Sequence, residues 1–591
     1  MTILPRSVNA DCRDYRLRRN DLPAASSIVR TLSRRGRPLA LLAAGLLALP
    51  AAAAAQVAEG PGETALGAPR GTIRVSVLAD LTQWTDRFDP SGERESAVID
   101  FNAPFGPLQF PLLRPIETDL RTATGRPDFA LTVGTLGVSA DARVTRVPIL
   151  LEAGFTNWLS LSFLLPVVRT RYEVYLRPNP AGTEGNVSVN PFLATPHSGV
   201  NEQVQTELLG ARSALRALID QCAANPGASP QCPTINADRP RAEQLYALSG
   251  ALADALARTY GGRADVDAAA YVPVAGSAPH TAVVSRLDSV STAFAAYLGG
   301  APPVAARPQA AFGQLTLPEA RDILEDEYFS FVRSGSLERQ GLGDVEAGVK
   351  LLLLDSFRGA GKSRFDPSGV NLRLAVGGAF RAATRLGDVR PGLFDLLTSD
   401  GQNDVEARVW ADVLFGRRAW ATIAGRYTWQ LPDEESVRIR DAPDLVFPAA
   451  YRERVVDRDL GDYYEVEVTP RFALGRALTL AGHYQFRRKA ADSHRGQFVV
   501  PASETDEGAD VVLDASTLDA ETEVTLQRVG LGFSYSNAAN YTRRRARFPV
   551  EVSYLHLETI AGEGGNVPRA RSDRIQLRFY TRLFGSGPLV R

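Results

Sequence analysis

The stretch Val405–Phe415 reads VEARVWADVLF, and its apolar and polar side chains alternate along the chain. One face carries Val405, Ala407, Val409, Ala411, Val413 and Phe415, and the other carries Glu406, Arg408, Trp410 and Asp412. The short turn GRRA (416–419) leads into a second alternating stretch, AWATIAGRYTWQ (419–430). A period of two predicts β-strands, and the short turn predicts that the two strands pair as a hairpin.

Similar alternation recurs along the chain, for example in YYEVEVTPRF (463–472) and DRIQLRFYTRLF (573–584). A soluble β-sandwich can also alternate, because one face of each sheet meets water. Two features favour a membrane barrel instead. The segments reach the roughly 10 residues that a tilted transmembrane strand needs. Short turns also alternate with long polar loops, as in barrels of the outer membrane.

Twelve strands are predicted, an even number that places both chain ends on the periplasmic side. Their approximate limits are 72–88, 128–150, 158–177, 341–356, 369–384, 403–416, 418–431, 462–474, 477–489, 523–537, 546–560 and 572–584. The predicted fold class is therefore all-β: a transmembrane antiparallel up-and-down barrel of about 12 strands, with an α-helical insertion between strands 3 and 4.

Residues 200–333 carry that insertion. Segments such as NEQVQTELLGARSALRALIDQ (201–221) have helical spacing and are rich in alanine and leucine, and Pro/Gly/Ser/Ala stretches separate them. Because they fall between the third and fourth strands, the topology predicts an extracellular position. The alternative, which the sequence leaves open, is an independent domain.

The amino terminus resembles an export signal. Arg34, Arg35 and Arg37 precede an apolar segment, and three alanines then offer a cleavage site between Ala55 and Gln56. An uncleaved anchor is the alternative, but Pro50 and the alanines leave the strongly apolar part shorter than the roughly 20 residues of a membrane span. Nine of the 66 basic and three of the 67 acidic residues lie in this segment, which leaves a mildly acidic body. Such a body predicts no nucleic-acid partner.

The predicted layout has six parts. They are a signal peptide (1–55), a periplasmic linker (56–70), barrel strands 1–3 (71–199), the helical insert (200–333), barrel strands 4–12 (334–584) and a C-terminal tail (585–591). Outer-membrane lipid and the barrel-assembly machinery are the partners expected during and after biogenesis. Phe584 is followed by GSGPLVR, so the aromatic assembly signal would be internal.

Cys222 and Cys232 are the two cysteines outside the signal segment, ten residues apart across a turn-rich stretch. In an oxidising compartment this spacing predicts a local disulfide, and it does not suit a zinc site, which needs four ligands. His483 is predicted to face the lumen as part of a polar interior. We expect no catalytic residues, no metal and no cofactor, and therefore no enzyme.

Inward-facing charges of both signs predict a lumenal charge network. Its candidate members are Asp344, Glu346, Lys350, Arg373, Arg381, Glu406, Arg408, Asp412, Arg426, Glu465, Glu467, Arg471 and Arg578. In particular, Asp344, Glu346 and Lys350 are expected to meet Arg373 on the next strand. Arginine supplies almost all of the basic groups, which favours paired interior networks.

Two stretches resemble a known family: RVPILLEAGFTNWLSLSFLLPVVRTR (146–171) and GLGDVEAGVKLLL (341–353). They are similar to the outer-membrane barrels assigned to transport in the phenol meta-cleavage pathway, which are related in style to long-chain fatty acid transporters. This resemblance implies a channel or transporter in the cell outer membrane for small, hydrophobic or aromatic solutes. The alternative function is a structural or adhesive protein whose barrel anchors the helical insert.

Overall fold

The computed structural model describes residues 62–193, 199–331, 337–356, 369–384, 401–416, 418–440, 445–505, 509–542, 544–585 and 589. The predicted signal peptide and its cleavage site, Ala55–Gln56, lie outside the described residues. So do the first part of the predicted linker and most of the predicted C-terminal tail.

Twelve strands form the barrel. They are β1 (Thr72–Trp84), β2 (Ser139–Gly154), β3 (Leu159–Tyr175), β4 (Val345–Asp355), β5 (Val370–Ala382), β6 (Asp404–Phe415), β7 (Ala419–Gln430), β8 (Tyr463–Ala473), β9 (Leu478–Lys489), β10 (Val524–Ser536), β11 (Val550–Glu563) and β12 (Arg571–Arg582). Each strand pairs with its neighbours in sequence, and all of these pairings are antiparallel.

The barrel closes between its first and last strands. β1 pairs with β12 from Thr72 opposite Arg582 to Gln83 opposite Arg571. Closure leaves no free sheet edge, so the backbone polar groups of the strands are paired within the protein, as a bilayer requires. The predicted 12-stranded antiparallel barrel is confirmed, as is the position of the helical insertion between the third and fourth strands.

The outer face of the barrel is apolar. The outward side chains of β6 include Val405, Val409 and Phe415, which are exposed, whereas the inward Glu406 and Asp412 are buried. Exposed aromatic residues form two bands near the strand ends. Those at the end with short turns are Phe155, Trp158, Phe415, Phe472, Tyr535 and Phe584, and those at the other end are Phe380, Tyr427, Trp429 and Tyr464. Such bands are typical of membrane barrels at the two lipid–water interfaces.

The second strand differs from its predicted limits. It spans Ser139–Gly154, and residues 128–138 before it form no regular strand. Their backbone groups bond partly to side chains, as where Thr132 N–H donates to Asn186 Oδ1 and Thr135 N–H donates to Asn179 Oδ1, and partly to the backbone of other loops, as where Val133 N–H donates to Phe105 O. The sequence alternates there, but the two asparagines lie about 50 residues away, beyond the reach of a local pattern.

The strand ladder is interrupted beside β3. The segment Leu337–Leu342 pairs with residues 167–172 of β3, the half nearer the long loops. β4 pairs with residues 159–164, the half nearer the short turns. Gly343 and Asp344 form the break between the two segments, and Gly343 N–H still donates to Pro166 O at 2.9 Å. Pro166 has no N–H group and cannot donate the next hydrogen bond of the ladder, which explains why the ladder is interrupted at this position.

A folded unit stands on the long-loop end of the barrel. We call it the cap, formed by residues 98–138, by residues 176–193 and 199–331, and by residues 445–451. One hydrophobic core joins all three parts. Its helices are α1 (Leu113–Thr124), α2 (Val200–Ala224), α3 (Cys232–Ala237), α4 (Arg239–Tyr260), α5 (Ala278–Leu298) and α6 (Leu317–Glu325). No helix among the described residues is long and apolar enough to cross a bilayer.

Local sequence explains where several of these helices begin and end. Ser277 caps α5 with proline in its first turn, and Thr316 with Glu319 forms a capping box at the start of α6. Cys222 at the end of α2 and Cys232 at the start of α3 form a disulfide with an S–S distance of 2.04 Å.

Glu207 ties α2 to the segment that follows α5. Its carboxylate accepts hydrogen bonds from the N–H groups of Ala305 and Ala306 at 2.7 and 2.9 Å. Burial alone would raise the pKa of Glu207, but the Ala306 N–H, the Gln203 amide and the Ala305 N–H hold it below its usual value.

Aromatic rings hold the three parts of the cap together. Phe447, from the loop after β7, packs against Phe105 of the first loop at 4.8 Å and against Phe331 of the insert at 5.8 Å between ring centroids. The main chain adds a further link, since Ala450 N–H donates to Tyr328 O at 2.7 Å. The helical insert is therefore packed together with two barrel loops in one core.

Replacing Phe447 by alanine should detach the third part of the cap. Phe447 is 1% exposed, so the change removes a buried ring and leaves a cavity, at a cost of about 3–5 kcal/mol. Hydrogen exchange at residues 445–451 and in α6 should accelerate while exchange in the barrel strands stays slow. The control is Val499→Ala, at a side chain that is 66% exposed. Unchanged exchange at residues 445–451 would contradict this account of the cap.

Candidate functional site

The inner wall of the barrel carries a ladder of paired charges on β4 to β6. Arg408 lies between two carboxylates: it donates to Glu346 at 2.7 Å and to Glu406. Arg381 reaches Asp404 at 2.8 Å and Glu406 at 3.3 Å. The strand register explains these ion pairs, because Arg381 lies directly opposite both Glu346 and Asp404. Inward positions on neighbouring strands thus bring opposite charges together.

The ladder continues across β7 to β9. Arg426 lies within 3.3 Å of three carboxylates, those of Glu465, Glu467 and Glu63. Glu465 also binds Arg487 at 2.8 Å, so two guanidinium groups share one carboxylate. His483 lies in the lumen, as predicted, where its Nδ1 hydrogen-bonds with Thr469 Oγ1 at 3.0 Å.

A second group of polar side chains lies near the short-turn end. Asp412 accepts from Thr422 at 2.8 Å and lies 3.9 Å from Arg373, which is 3.6 Å from Asp355. On the other side of the lumen, Arg578 donates to Glu551 at 3.2 Å.

Residues 62–70 lie inside the barrel and bind its wall through their main chain. Ala65 N–H donates to Asp412, and Ala68 N–H donates to Glu152 at 2.6 Å. Carbonyl groups of the same segment accept from inward-facing cations. Arg578 donates to Gly62 O at 3.2 Å, Arg471 donates to Glu63 O at 3.0 Å, and Lys350 donates to Thr64 O at 3.0 Å. We call residues 62–70 the plug.

Glu63 adds a buried charge to the contact between the plug and the wall. Its carboxylate bonds to Trp410 Nε1 and to Arg426. Lys350 stacks over the ring of the same tryptophan at 3.9 Å from its centroid. The plug is therefore held by hydrogen bonds and ion pairs, which can exchange with water, and by the packing of Ala65 against Leu352, Ala375 and Trp410.

A glycine lets the plug approach the wall closely. A Cβ placed on Gly67 would lie 2.1 Å from Ser160 Oγ and 3.1 Å from Ser160 Cβ. A larger residue at this position requires the side chain of Ser160 to turn away or the segment to move from β3.

Above the plug, the lumen holds a cavity of about 420 Å3. Its wall is of mixed chemistry. Apolar side chains come from β1 to β3 and from β11, namely Leu78, Pro148, Leu150, Leu164 and Leu555, and charged groups of β5 to β9 include Arg381, Arg408, Arg426, Glu465 and Arg487. Charged residues also lie beside the apolar ones, such as Arg574 and Arg578 of β12. This volume falls within the range of small-molecule sites in proteins. No cluster of His, Cys, Asp and Glu able to hold a metal ion occurs in the described ranges.

The structure divides the predicted charge network. Glu346, Arg381, Glu406, Arg408, Arg426, Glu465 and Glu467 lie in the ladder, and Arg373, Asp412, Arg471, Arg578 and Lys350 lie closer to the plug and the short-turn end. Asp344, Glu346 and Lys350 were expected to meet Arg373, but the register places Asp355 opposite Arg373 and Arg381 opposite Glu346. Asp344 accepts from Thr384 N–H at 3.2 Å, because it lies in the break before β4 rather than on a strand face.

The plug is the part of the site that the sequence did not indicate, since residues 62–70 were predicted to belong to a periplasmic linker. The segment GETALGAPR consists mostly of small residues and shows no strand period. Its only charged groups are Glu63 and Arg70. No local pattern marks such a segment as buried, because its partners, such as Asp412, lie more than 300 residues away.

No family model matches this chain, and no curated protein matches it. Solved outer-membrane barrels resemble it only distantly. An outer membrane channel of Pseudomonas putida F1 is 8% identical, with 88% of this chain and 99% of that chain covered and a TM-score of 0.37. A FadL homologue of Pseudomonas aeruginosa is 8% identical, with 87% and 90% covered and a TM-score of 0.25. At these values neither resemblance bears on the function of this chain.

Removing one charge from the ladder should destabilise the barrel. Glu406→Gln keeps the shape of the side chain but leaves Arg381 and Arg408 with one fewer buried carboxylate, at a cost of about 3 kcal/mol. The loss is measured as a lower urea midpoint for unfolding, followed by heat-modifiable mobility on gels. Glu338→Gln removes an exposed partner of Arg169 and should cost at most about 1 kcal/mol. Equal effects of the two changes would contradict a stabilising role for the ladder.

A larger side chain at residue 67 should open the lumen. Gly67→Val crowds the buried side chains of Ser160 and Glu152, so we expect it to displace the plug and to raise the conductance of single channels in planar bilayers severalfold. Gly210→Ala, in α2 with open space around it, is the matched control and should conduct like the unmodified protein. A conductance of Gly67→Val equal to that of the control would show that the plug does not close the lumen.

Proposed function

We propose that this protein is a channel of the outer membrane that admits small solutes and that its own plug gates the lumen, blocking it except when the plug moves aside. The observation that carries the proposal is a closed barrel with an apolar outer face and a polar lumen that contains a cavity of about 420 Å3. A barrel with a filled interior would serve as an anchor, whereas a cavity lined by side chains of mixed chemistry can receive a solute.

The proposed orientation follows from the loops. Both ends of the strand series and the short turns face the periplasm, and the cap and the long loops face the exterior. Barrel-assembly machinery would insert the chain into the membrane. The plug then lies on the periplasmic side of the cavity, so a solute that enters from outside reaches the cavity before it meets the plug.

The resemblance of residues 146–171 and 341–353 to the barrels assigned to the phenol meta-cleavage pathway supports a small, hydrophobic or aromatic solute. The apolar side chains of the cavity wall suit such a body. The charged groups of the wall do not suit a purely apolar solute, and they indicate a more specific substrate class.

The function is tested by permeation into liposomes. Vesicles that contain the full chain should take up benzyl alcohol and small sugars faster than empty vesicles, and deletion of residues 62–68 should increase the rate further. Benzyl alcohol crosses bilayers by itself, so the difference from empty vesicles is the quantity that counts. If neither the full chain nor the plug deletion admits any solute, the protein is not a channel.

A surface-exposed binding protein is the second candidate. It is favoured by the cap, whose three parts share one hydrophobic core of the kind that belongs to an independently folded domain. In that case a soluble partner should bind cells that display the intact protein, and Phe447→Ala should abolish this binding without changing permeation. If the protein is a channel instead, Phe447→Ala should change permeation, and no soluble partner should bind the intact protein.

A further inference from the structure

Four arginines lie together in the lumen on the cap side of the cavity. We call Arg146, Arg487, Arg528 and Arg574 the arginine cluster. Asp80 of β1 lies directly opposite Arg146 on one side and directly opposite Arg574 on the other. Arg146 interacts electrostatically with Asp80, Arg487 and Arg574, and Arg528 interacts with the same three groups and with Glu465. The cluster is therefore one electrostatic unit built from four strands.

The acids around the cluster are already engaged. Arg574 donates to Asp80 at 2.8 Å, and Glu465 binds both Arg487 and Arg426. Among the described residues, neither Arg146 nor Arg528 has a carboxylate within ion-pair distance. Four cations thus face two carboxylates, and one of these carboxylates is shared with a cation outside the cluster.

Cross-strand register explains why Arg528 has no acidic partner. Gln485 lies opposite it on β9 and Thr559 lies opposite it on β11, and both are uncharged. The Arg528 Nε is buried and makes no hydrogen bond. The side-chain atoms of the cavity wall that share this condition include His483 Nε2 and Gln485 Oε1, on residues that are 6% and 5% exposed. Elsewhere on the wall the arginines of the ladder each contact at least one carboxylate, as described above.

The cluster borders apolar side chains of the cavity wall. On β1, Asp80 is the next inward residue from Leu78 in the direction of the cap. On β2, Arg146 is the next inward residue from Pro148 in the same direction. Two residues of a strand span roughly 7 Å. Arg487 and Arg574 themselves line the cavity. A compact organic acid can therefore place its apolar body against Leu78, Pro148 and Leu150 and its anionic group among the guanidiniums.

We propose that the cavity and the arginine cluster together form a binding site for small organic monoanions. Each such anion carries one anionic oxygen group on a compact apolar body. The site rests on the proposed channel function, since it would lie on the path of the solute. Guanidinium groups bind planar carboxylates with two parallel hydrogen bonds, and such bonds are stronger than those to neutral groups. The charge of the solute, in addition to its apolar body, is then what the channel selects.

The test is binding to the purified full chain in detergent, with three probes that share one ring: benzoate, benzyl alcohol and benzylamine. Saturation-transfer NMR and calorimetry give the three dissociation constants. Benzoate should bind at least about tenfold more tightly than benzyl alcohol, because one charge-assisted hydrogen bond exceeds the roughly 1.4 kcal/mol that a factor of ten requires. Benzylamine should bind more weakly than benzyl alcohol.

Two variants locate the site. Arg528→Gln and Arg146→Gln remove cations that have no acidic partner, so neither change leaves a carboxylate unpaired. Each should remove most of the advantage of benzoate and leave the affinity for benzyl alcohol within about twofold. Arg488→Gln is the control, because this exposed arginine pairs with Glu523. Heat-modifiable mobility confirms that each variant is folded.

The outcomes separate this proposal from the channel function. Binding in detergent needs no passage through the membrane, so a protein that prefers benzoate but admits no solute contradicts the channel alone. A protein that admits solutes but binds benzoate and benzyl alcohol equally contradicts the anion site alone. The proposal is also overturned if no probe binds, or if both arginine variants retain the full preference for benzoate.

Discussion

The closure of the sheet between β1 and β12 is the constraint on which the rest of the structure depends. Unpaired backbone groups cost several kcal/mol each in hydrocarbon, so a sheet that crosses a bilayer must have no edge. Once the sheet is closed, every strand has one face toward lipid and one toward the lumen. Charged residues of the strand centres are then confined to a narrow interior, where most of them lie beside a group of opposite charge. The paired arginines and carboxylates of the wall are the direct result of this confinement.

The sequence predicted the barrel because the signal for it is local. In Val405–Phe415 the alternation gives both the strand and the face that meets lipid, and the structure follows it residue by residue. The same reasoning placed residues 128–138 in a strand, where the side chains of Asn179 and Asn186 and the backbone of distant loops take the backbone bonds instead. It also could not reveal that Phe447 joins the helical insert or that Ala65 meets Asp412. Those contacts are set by the closed topology, and no short-range period records them.

The candidate site shows the same division. Which residues face the lumen followed from alternation, but the partner of each depended on the register and on the break at Gly343 and Asp344. Asp344 therefore binds the backbone at Thr384, and Lys350 meets the plug and Trp410. The plug explains a feature that the paired wall alone does not: several inward cations donate to carbonyl groups of residues 62–64. Polar bonds hold it in place, and these bonds can be exchanged for water when it moves.

The central claim is that the plug occupies the lumen and closes it, and a reversible cross-link tests this most directly. Ala65 of the plug and Ala375 of β5 lie in one buried cluster. Cysteines at these two positions should be joined by a short bis-thiosulfonate reagent in native membranes, and the joined protein should show no conductance until dithiothreitol releases it. The unmodified chain treated with dithiothreitol controls for the native disulfide. Failure of the two positions to cross-link, or full conductance in the joined protein, would contradict the account.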